Sequence, residues 1–190
     1  MKISSIFLLT ILISFSTILH AVETQEGDTR KVLNSSSPEW MDSVGQILRD
    51  YNEYGKDLVH KCTGTLVSLS ENDDSDLVLT AAHCFDINEY WGLDINATFT
   101  IKKRNGQKIT RRVVEILKMS DLKLNKKDPD YALIRLDSKI DNRDARPLEV
   151  IDRHRKEFMA SFGEDDTVKV TAAGYSTDTG LGKSGEHLTY

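Results

Sequence analysis

The sequence lacks an excess of positive charge: 25 Lys and Arg stand against 30 Asp and Glu, for a net charge of −5. No stripe of basic residues with interleaved aromatics occurs either, so general nucleic-acid binding is excluded as a function class. Long apolar runs are missing beyond the first twenty residues, and a membrane span needs about 18 or more. Helical crossovers between strand-like segments are also absent, which argues against a parallel α/β sheet. There is no internal repeat and no low-complexity linker. Cysteine is scarce as well, with two in the chain, Cys62 and Cys84.

What is present begins with a leader. Met1-Lys2 gives a positive start, Ile6 to Leu19 is an apolar run broken by Thr10, Ser14, Ser16 and Thr17, and Ala21 supplies a small residue for cleavage. This is the layout of a secretory signal peptide over residues 1–21. Its removal takes Lys2 and no acid, leaving a more acidic chain with no expected membrane association. Export, whether to the extracellular space or a periplasm, makes the even cysteine pair read first as a disulfide. Two glycosylation sequons, at Asn34 and Asn96, would matter only in a host that glycosylates. Residues 22–39 are polar and without periodicity, and read as an N-terminal arm or propeptide. A scission near Arg30-Lys31, freeing Val32, is one way such a segment would be removed.

From Trp40 the signals are β. DSVGQIL (Asp42 to Leu48), CTGTLVSL (Cys62 to Leu69), DLVLTAA (Asp76 to Ala82), YALIRL (Tyr131 to Leu136) and VKVTAAGY (Val168 to Tyr175) are short apolar or alternating runs with turn-rich spacers. ATFTIKK and KITRRVVEIL flank Asn105-Gly106, a pair that tolerates the positive φ of a tight hairpin. The basic residues around that tip, Lys102 to Arg104 and Arg111-Arg112, read as a solvated hairpin face. One helix-like stretch covers roughly Val150 to Ser161. Together these predict an all-β sandwich or barrel.

Two segments carry candidate chemistry. In CTGTLVSLSENDDSDLVLTAAHCFD, Cys62 to Asp86, His83 ends a strand-like run between small residues and Cys84. A general base must be held at a fixed angle, because small misplacements cost rate steeply. In DPDYALIRLD, Asp130 stands immediately before an alternating apolar run, where a carboxylate can accept an imidazole N–H. Asp128 and Asp137 are its competitors. A metal reading of His60, Cys62, His83 and Cys84 is disfavoured, because zinc sites use C-x₂₋₄-C or H-x₃₋₅-H pairs that loop around the ion. His154 reads as solvated, His187 as a local contact, and Trp40 and Trp91 as core or loop anchors.

CTGTLVS, LTAAHC and DYALIRL together resemble the trypsin/chymotrypsin family of serine endopeptidases. WMDSVGQIL and VTAAGYSTDTG…GEHLTY resemble its bacterial glutamyl-endopeptidase-like branch. The resemblance runs from about Arg30 to Tyr190. It implies a chymotrypsin-like double β-barrel over residues 40–190, with the first barrel at about 40–143 and the start of the second at 144–190. It further implies His83 as general base, Asp130 as its orienting partner, a Cys62–Cys84 disulfide beside the base, a protein or peptide substrate, and no cofactor. The glutamyl-type likeness implies cleavage after acidic residues.

The last residues, GKSGEHLTY, contain a Ser184 that sits like a nucleophile in G-x-S-G. Glu186 replaces the second small residue that the family places there, and little chain separates Ser184 from Gly174. A P-loop is excluded because Thr177 stands at the first glycine position. All-β barrels of this kind commonly fill ~200–250 residues. The expectation is a chain that stops short of its nucleophile, oxyanion donors and pocket, and that is inactive alone. The alternative from another class is a secreted, non-catalytic scaffold or binding protein with a protease-like fold.

Overall fold

The computed structural model describes residues 29–53, 55–70, 73–85, 95–120, 129–150, 171–177 and 180–190. The leader, the helix-like stretch after Val150, Asp128, Trp91, His154 and the first half of VKVTAAGY lie outside them. Among the described residues no helix is long and apolar enough to cross a membrane.

Among the described residues seven strands form the main sheet: β1 (Val44–Glu53), β2 (Lys56–Ser68), β3 (Ser75–Thr80), β4 (Ala97–Lys102), β5 (Lys108–Met119), β6 (Ala132–Ile140) and β7 (Leu148–Glu149). Their order is β1-β4-β5-β6-β3-β2-β7, and β1 also pairs with β2. That extra pairing closes a six-stranded antiparallel barrel, with β7 added in parallel on β2. Closure leaves no free edge among the six strands, which removes the usual template for edge-to-edge association. Register shifts in the β3–β6 and β5–β6 pairs mark bulges that help the sheet to curl.

Strand alternation explains the core. β4 buries Ala97, Phe99 and Ile101 and leaves Thr98, Thr100 and Lys102 half-exposed. Phe99, Ile47, Leu66, Val78, Ile101, Ile134 and Ile140 are all at most 1% exposed and fill the barrel. Phe99 needs room, and Gly45 and Gly64 supply it. A Cβ on Gly64 would lie 2.7 Å from Val78 Cγ1, and one on Gly45 would collide with the Phe99 ring. The β4–β5 hairpin turns at Asn105-Gly106 as its sequence requires, with Gly106 at φ +85°.

β1 and β2 run well beyond the strands expected from the sequence, meeting in a ribbon with register from Glu53↔Lys56 to Val44↔Thr65. Asp50, Lys56 and Asp57 are exposed, so this end of the ribbon lacks the apolar alternation that a sequence reading depends on.

A second, smaller cluster lies on the outer face of the barrel. Met41, Val44, Tyr175 and Leu188 are buried together, with Leu33, Trp40, Ala173 and Tyr190 packed against them. Here β8 (Gly174–Tyr175) pairs with β9 (Leu188–Thr189), and the N-terminal arm joins β9 through an isolated antiparallel bridge, Val32 to Thr189. Lys31 N–H donates to Tyr190 O at 2.8 Å, Tyr190 N–H to Lys31 O at 3.0 Å, and Leu33 N–H to Leu188 O at 2.9 Å.

Of the basic residues at the β4–β5 hairpin, Lys102, Lys103 and Arg104 are anchors and not a solvated face, whereas the Arg112 side chain is 77% exposed as expected. Arg104 Nε donates to Asp42 Oδ2 at 3.1 Å and its Nη1 to Ser37 O at 3.0 Å, which fastens the arm. Lys103 lies 3.6 Å from Asp144, and Lys102 donates to Glu186 O. The reading from sequence failed because a short basic run does not reveal whether another segment folds back over it.

Candidate active site

The register of β3 and β6 builds the site. Thr80, the last residue of β3, is opposite Ala132, the first of β6. Chain leaving β3 and chain entering β6 therefore meet at one end of the barrel. Beyond Thr80 the backbone makes a 3₁₀ turn, Ala82–Cys84, with His83 at its centre. Asp130 lies two residues before β6, whose entry is tied down by Tyr131 N–H to Ser120 Oγ at 3.1 Å and Ser120 N–H to Tyr131 O at 2.9 Å.

His83 and Asp130 meet through two hydrogen bonds. The His83 ring nitrogen Nδ1 lies 2.6 Å from Asp130 Oδ2, and the His83 backbone N–H donates to Asp130 Oδ1 at 3.1 Å. One carboxylate thus fixes both the ring and the peptide that carries it. The ring's hydrogen bond, followed by that of the backbone N–H, holds the Asp130 carboxyl below its ordinary range, against an opposing desolvation. An ionised acceptor at Nδ1 places the proton there and leaves Nε2 as the basic nitrogen. The His83 side chain is 58% exposed and that of Asp130 39%, so the pair opens onto the surface.

Cys62 and Cys84 form a disulfide with Cα atoms 6.1 Å apart, joining β2 to the His83 turn. Thr80 reinforces the junction, its hydroxyl donating to Thr63 O at 2.8 Å. Cys62 Sγ, Cys84 Sγ and a His83 nitrogen lie within 4.8 Å of one another. The two sulfurs are spent on each other, however, and a metal would need them as thiolates.

Asp137 pairs with Arg112, Nε to Oδ2 at 3.3 Å, and takes no part in the His83 contact. His187 contacts the Leu181 carbonyl at 3.1 Å. Ser184 sits in a left-handed turn at φ +55°, and its carbonyl accepts from Lys61 Nζ at 2.9 Å. A cleft of about 490 Å³ between the arm and the β6–β7 connection is lined by charged residues such as Glu39, Lys103, Arg104 and Arg143. Neither His83 nor Asp130 lines it.

Two residues near His83 were not singled out as functional by the sequence. His60 on β2 has its ring centroid 6.5 Å from that of His83. Arg49 on β1 is 3% exposed and donates from Nη1 to Phe85 O at 2.9 Å. An arginine in an otherwise apolar strand run, GQILR, was the available signal.

A closed six-stranded antiparallel barrel, with a His-bearing turn clamped by a disulfide and facing an Asp from the neighbouring strand, is a trypsin/chymotrypsin-like fold. More particularly, the family model for the lysyl endopeptidase C-terminal domain matches residues 30–148, and the chain belongs to that family. Among solved structures, the inactivated protease paralogue S-D1 of the scabies mite aligns with a TM-score of 0.51 and 14% identity, over 80% of this chain and 57% of that one. A structure of GrC aligns with a TM-score of 0.47 and 22% identity, over 82% of this chain and 61% of that one. The chain therefore spans less than two thirds of either. No curated protein matches the sequence.

Proposed function

We propose that this chain belongs to a secreted serine endopeptidase in which His83 is the general base and Asp130 its orienting partner. The observation that carries the reading is the two-point contact of Asp130 with His83, at ring and backbone together. In the mechanism that this geometry serves, His83 Nε2 takes the proton of a serine hydroxyl as the oxygen attacks a peptide carbonyl. It then returns the proton to the leaving amine, and water hydrolyses the acyl-enzyme by the same route. Asp130 keeps the proton on Nδ1 and faces the imidazolium that forms. The fixed orientation matters as much as the charge, since a base swinging off line loses the advantage of proximity.

Ser184 is not proposed as the nucleophile, because its hydroxyl makes no hydrogen bond to His83, whose ring is bonded to Asp130. Export is proposed from the leader together with the disulfide, a bond at home in oxidising compartments. The substrate is proposed as a protein or peptide. Peptides with Glu or Lys before the scissile bond would separate the acidic preference implied by the sequence resemblance from the preference in the matched family's name.

Fluorophosphonate labelling of the native secreted protein tests the activity. Labelling should appear in the unmodified protein and disappear in His83→Ala. In Asp130→Asn, turnover should fall by about 10⁴ with folding retained. No labelling of the folded native protein would favour the second reading, a protease-like scaffold that binds without cleaving. That reading draws support from the likeness to a scabies mite protein named as an inactivated paralogue.

A further inference from the structure

We propose that Arg49, backed by His60, is a positioning residue for His83, fixing the turn from inside the barrel while Asp130 fixes it from outside. The proposal rests on the reading of His83 as a base.

Arg49 is buried at 3% exposure in the strand pair that forms the barrel wall below the site. A buried guanidinium is costly to desolvate, and a hydrogen bond to a fixed carbonyl offsets part of that cost. Its Nη1 donates at 2.9 Å to the carbonyl of Phe85, the residue that closes the Ala82–Cys84 turn. Phe85 N–H in turn donates to Ala82 O at 2.9 Å, so the held peptide is hydrogen-bonded back to the start of the same turn. His83 lies between these two points.

Arg49 is also directly opposite His60 in the β1–β2 register, so their side chains share a face of the sheet. The His60 ring is tilted 44° to that of His83 at a centroid distance of 6.5 Å. Burial first, then the neighbouring His83 and Arg49, lowers the His60 pKa from its ordinary value. Asp130 holds the turn at His83 and leaves its two following residues to other contacts. The disulfide fixes Cys84, Arg49 fixes Phe85, and His60 limits how far the His83 ring can swing toward β2.

The test is NMR on the full chain. The His83 Nδ1 proton should give a downfield resonance in the unmodified protein, and its absence there would overturn the pairing that Arg49 is said to support. In Arg49→Met that proton should exchange with water at least about tenfold faster, the scale of one lost hydrogen bond, with the amide dispersion of the barrel kept. Arg49→Lys, which retains a donor, should restore part of the protection. An unchanged resonance and exchange rate in a folded Arg49→Met overturns the proposal. Should that variant not fold, the unmodified protein decides: the Arg49 guanidinium must rotate slowly, and a freely rotating one overturns it. Fluorophosphonate labelling separates this from the enzymatic reading. A protein that does not label but shows the Arg49 effect loses the enzyme and keeps the clamp.

Discussion

The barrel and the layer on its outer face are held in different ways. The six barrel strands satisfy one another through backbone hydrogen bonds around a closed ring, and one apolar cluster fills the interior. The outer layer, made of the arm, β8, β9 and the turn between them, has only short strands and a small cluster of its own. Much of its attachment comes from side chains of the barrel. Lys61, Gln46 and Lys102, from β2, β1 and β4, each donate to one of three consecutive carbonyls, those of Ser184, Gly185 and Glu186. Thr63 Oγ1 accepts from Tyr175 N–H at 2.9 Å. The turn they hold has Lys183, Ser184 and Gly185 all at positive φ, at 47°, 55° and 84°. Two of these are not glycine, a conformation that persists only where surroundings over-determine it. The barrel therefore should unfold as a unit, and the layer should open on its own.

The largest effect should come from breaking the barrel. Phe99→Ala removes a fully buried ring touching both glycine-lined walls, and should cost about 3–5 kcal/mol. Thermal melts should show one transition moving down for barrel and layer together. Leu188→Ala in the outer cluster should cost about 2–3 kcal/mol, and hydrogen exchange should rise in residues 31–33 and 174–190 while β1–β6 stay protected. Equal loss of protection in both regions would break the comparison.

Much of the barrel could be read in advance because its determinants are local. Alternation in CTGTLVSL and ATFTIKK, and Asn105-Gly106 at a tip, encode pleat and turn directly. The contact of His83 with Asp130 was legible because the turn and the strand entry each have a distinctive neighbourhood. Arg49, Gln46 and Lys102 were not, since each has its role through a partner 36, 139 or 84 residues away. Nothing in the flanking sequence says which side of the strand such a partner will cover. The pairing of Lys31 and Leu33 with Tyr190 and Leu188 was illegible for the same reason, being entirely long-range.

Comparable in size to the Leu188 change is the disulfide. Cys62 and Cys84 are separated by 22 residues, and closing a loop of that length stabilises by about 3 kcal/mol through the unfolded state. Cys62→Ser with Cys84→Ser should lower the melting temperature of the barrel and free the His83 turn, seen as faster exchange at Phe85. The outer turn should be unaffected, which separates this clamp from the one at Gly185.

The strained turn gives a smaller effect of opposite sign. Ser184→Gly removes the cost of a left-handed non-glycine residue and should stabilise the outer layer by about 0.5–1 kcal/mol, partly offset by added freedom in the unfolded chain. Gln46→Ala leaves the Gly185 carbonyl without its donor and should destabilise it by about 1–3 kcal/mol. Exchange at residues 182–187 should slow in the first and quicken in the second. Fluorophosphonate labelling unchanged by Ser184→Gly would also confirm that Ser184 is not the nucleophile.

The smallest effect is in pH. His60 has a folded pKa below its ordinary 6.5, lowered by burial first, then by His83 and Arg49. Between the folded and unfolded values the unfolded chain binds the extra proton, so stability rises with pH there. The contribution is fully present above about 6.5 and is lost as pH falls through the folded value. Asp130 acts in the same direction at lower pH: its carboxyl is lowered by the His83 hydrogen bonds, so its contribution is present above the ordinary carboxylate range and disappears in acid. His60→Phe keeps a ring beside His83 but removes the proton site. Its melting temperature should be flatter than that of the unmodified protein between pH 7 and 5, with the acid limb from Asp130 intact. A variant that kept the full slope between those values would place the titrating group elsewhere than at His60.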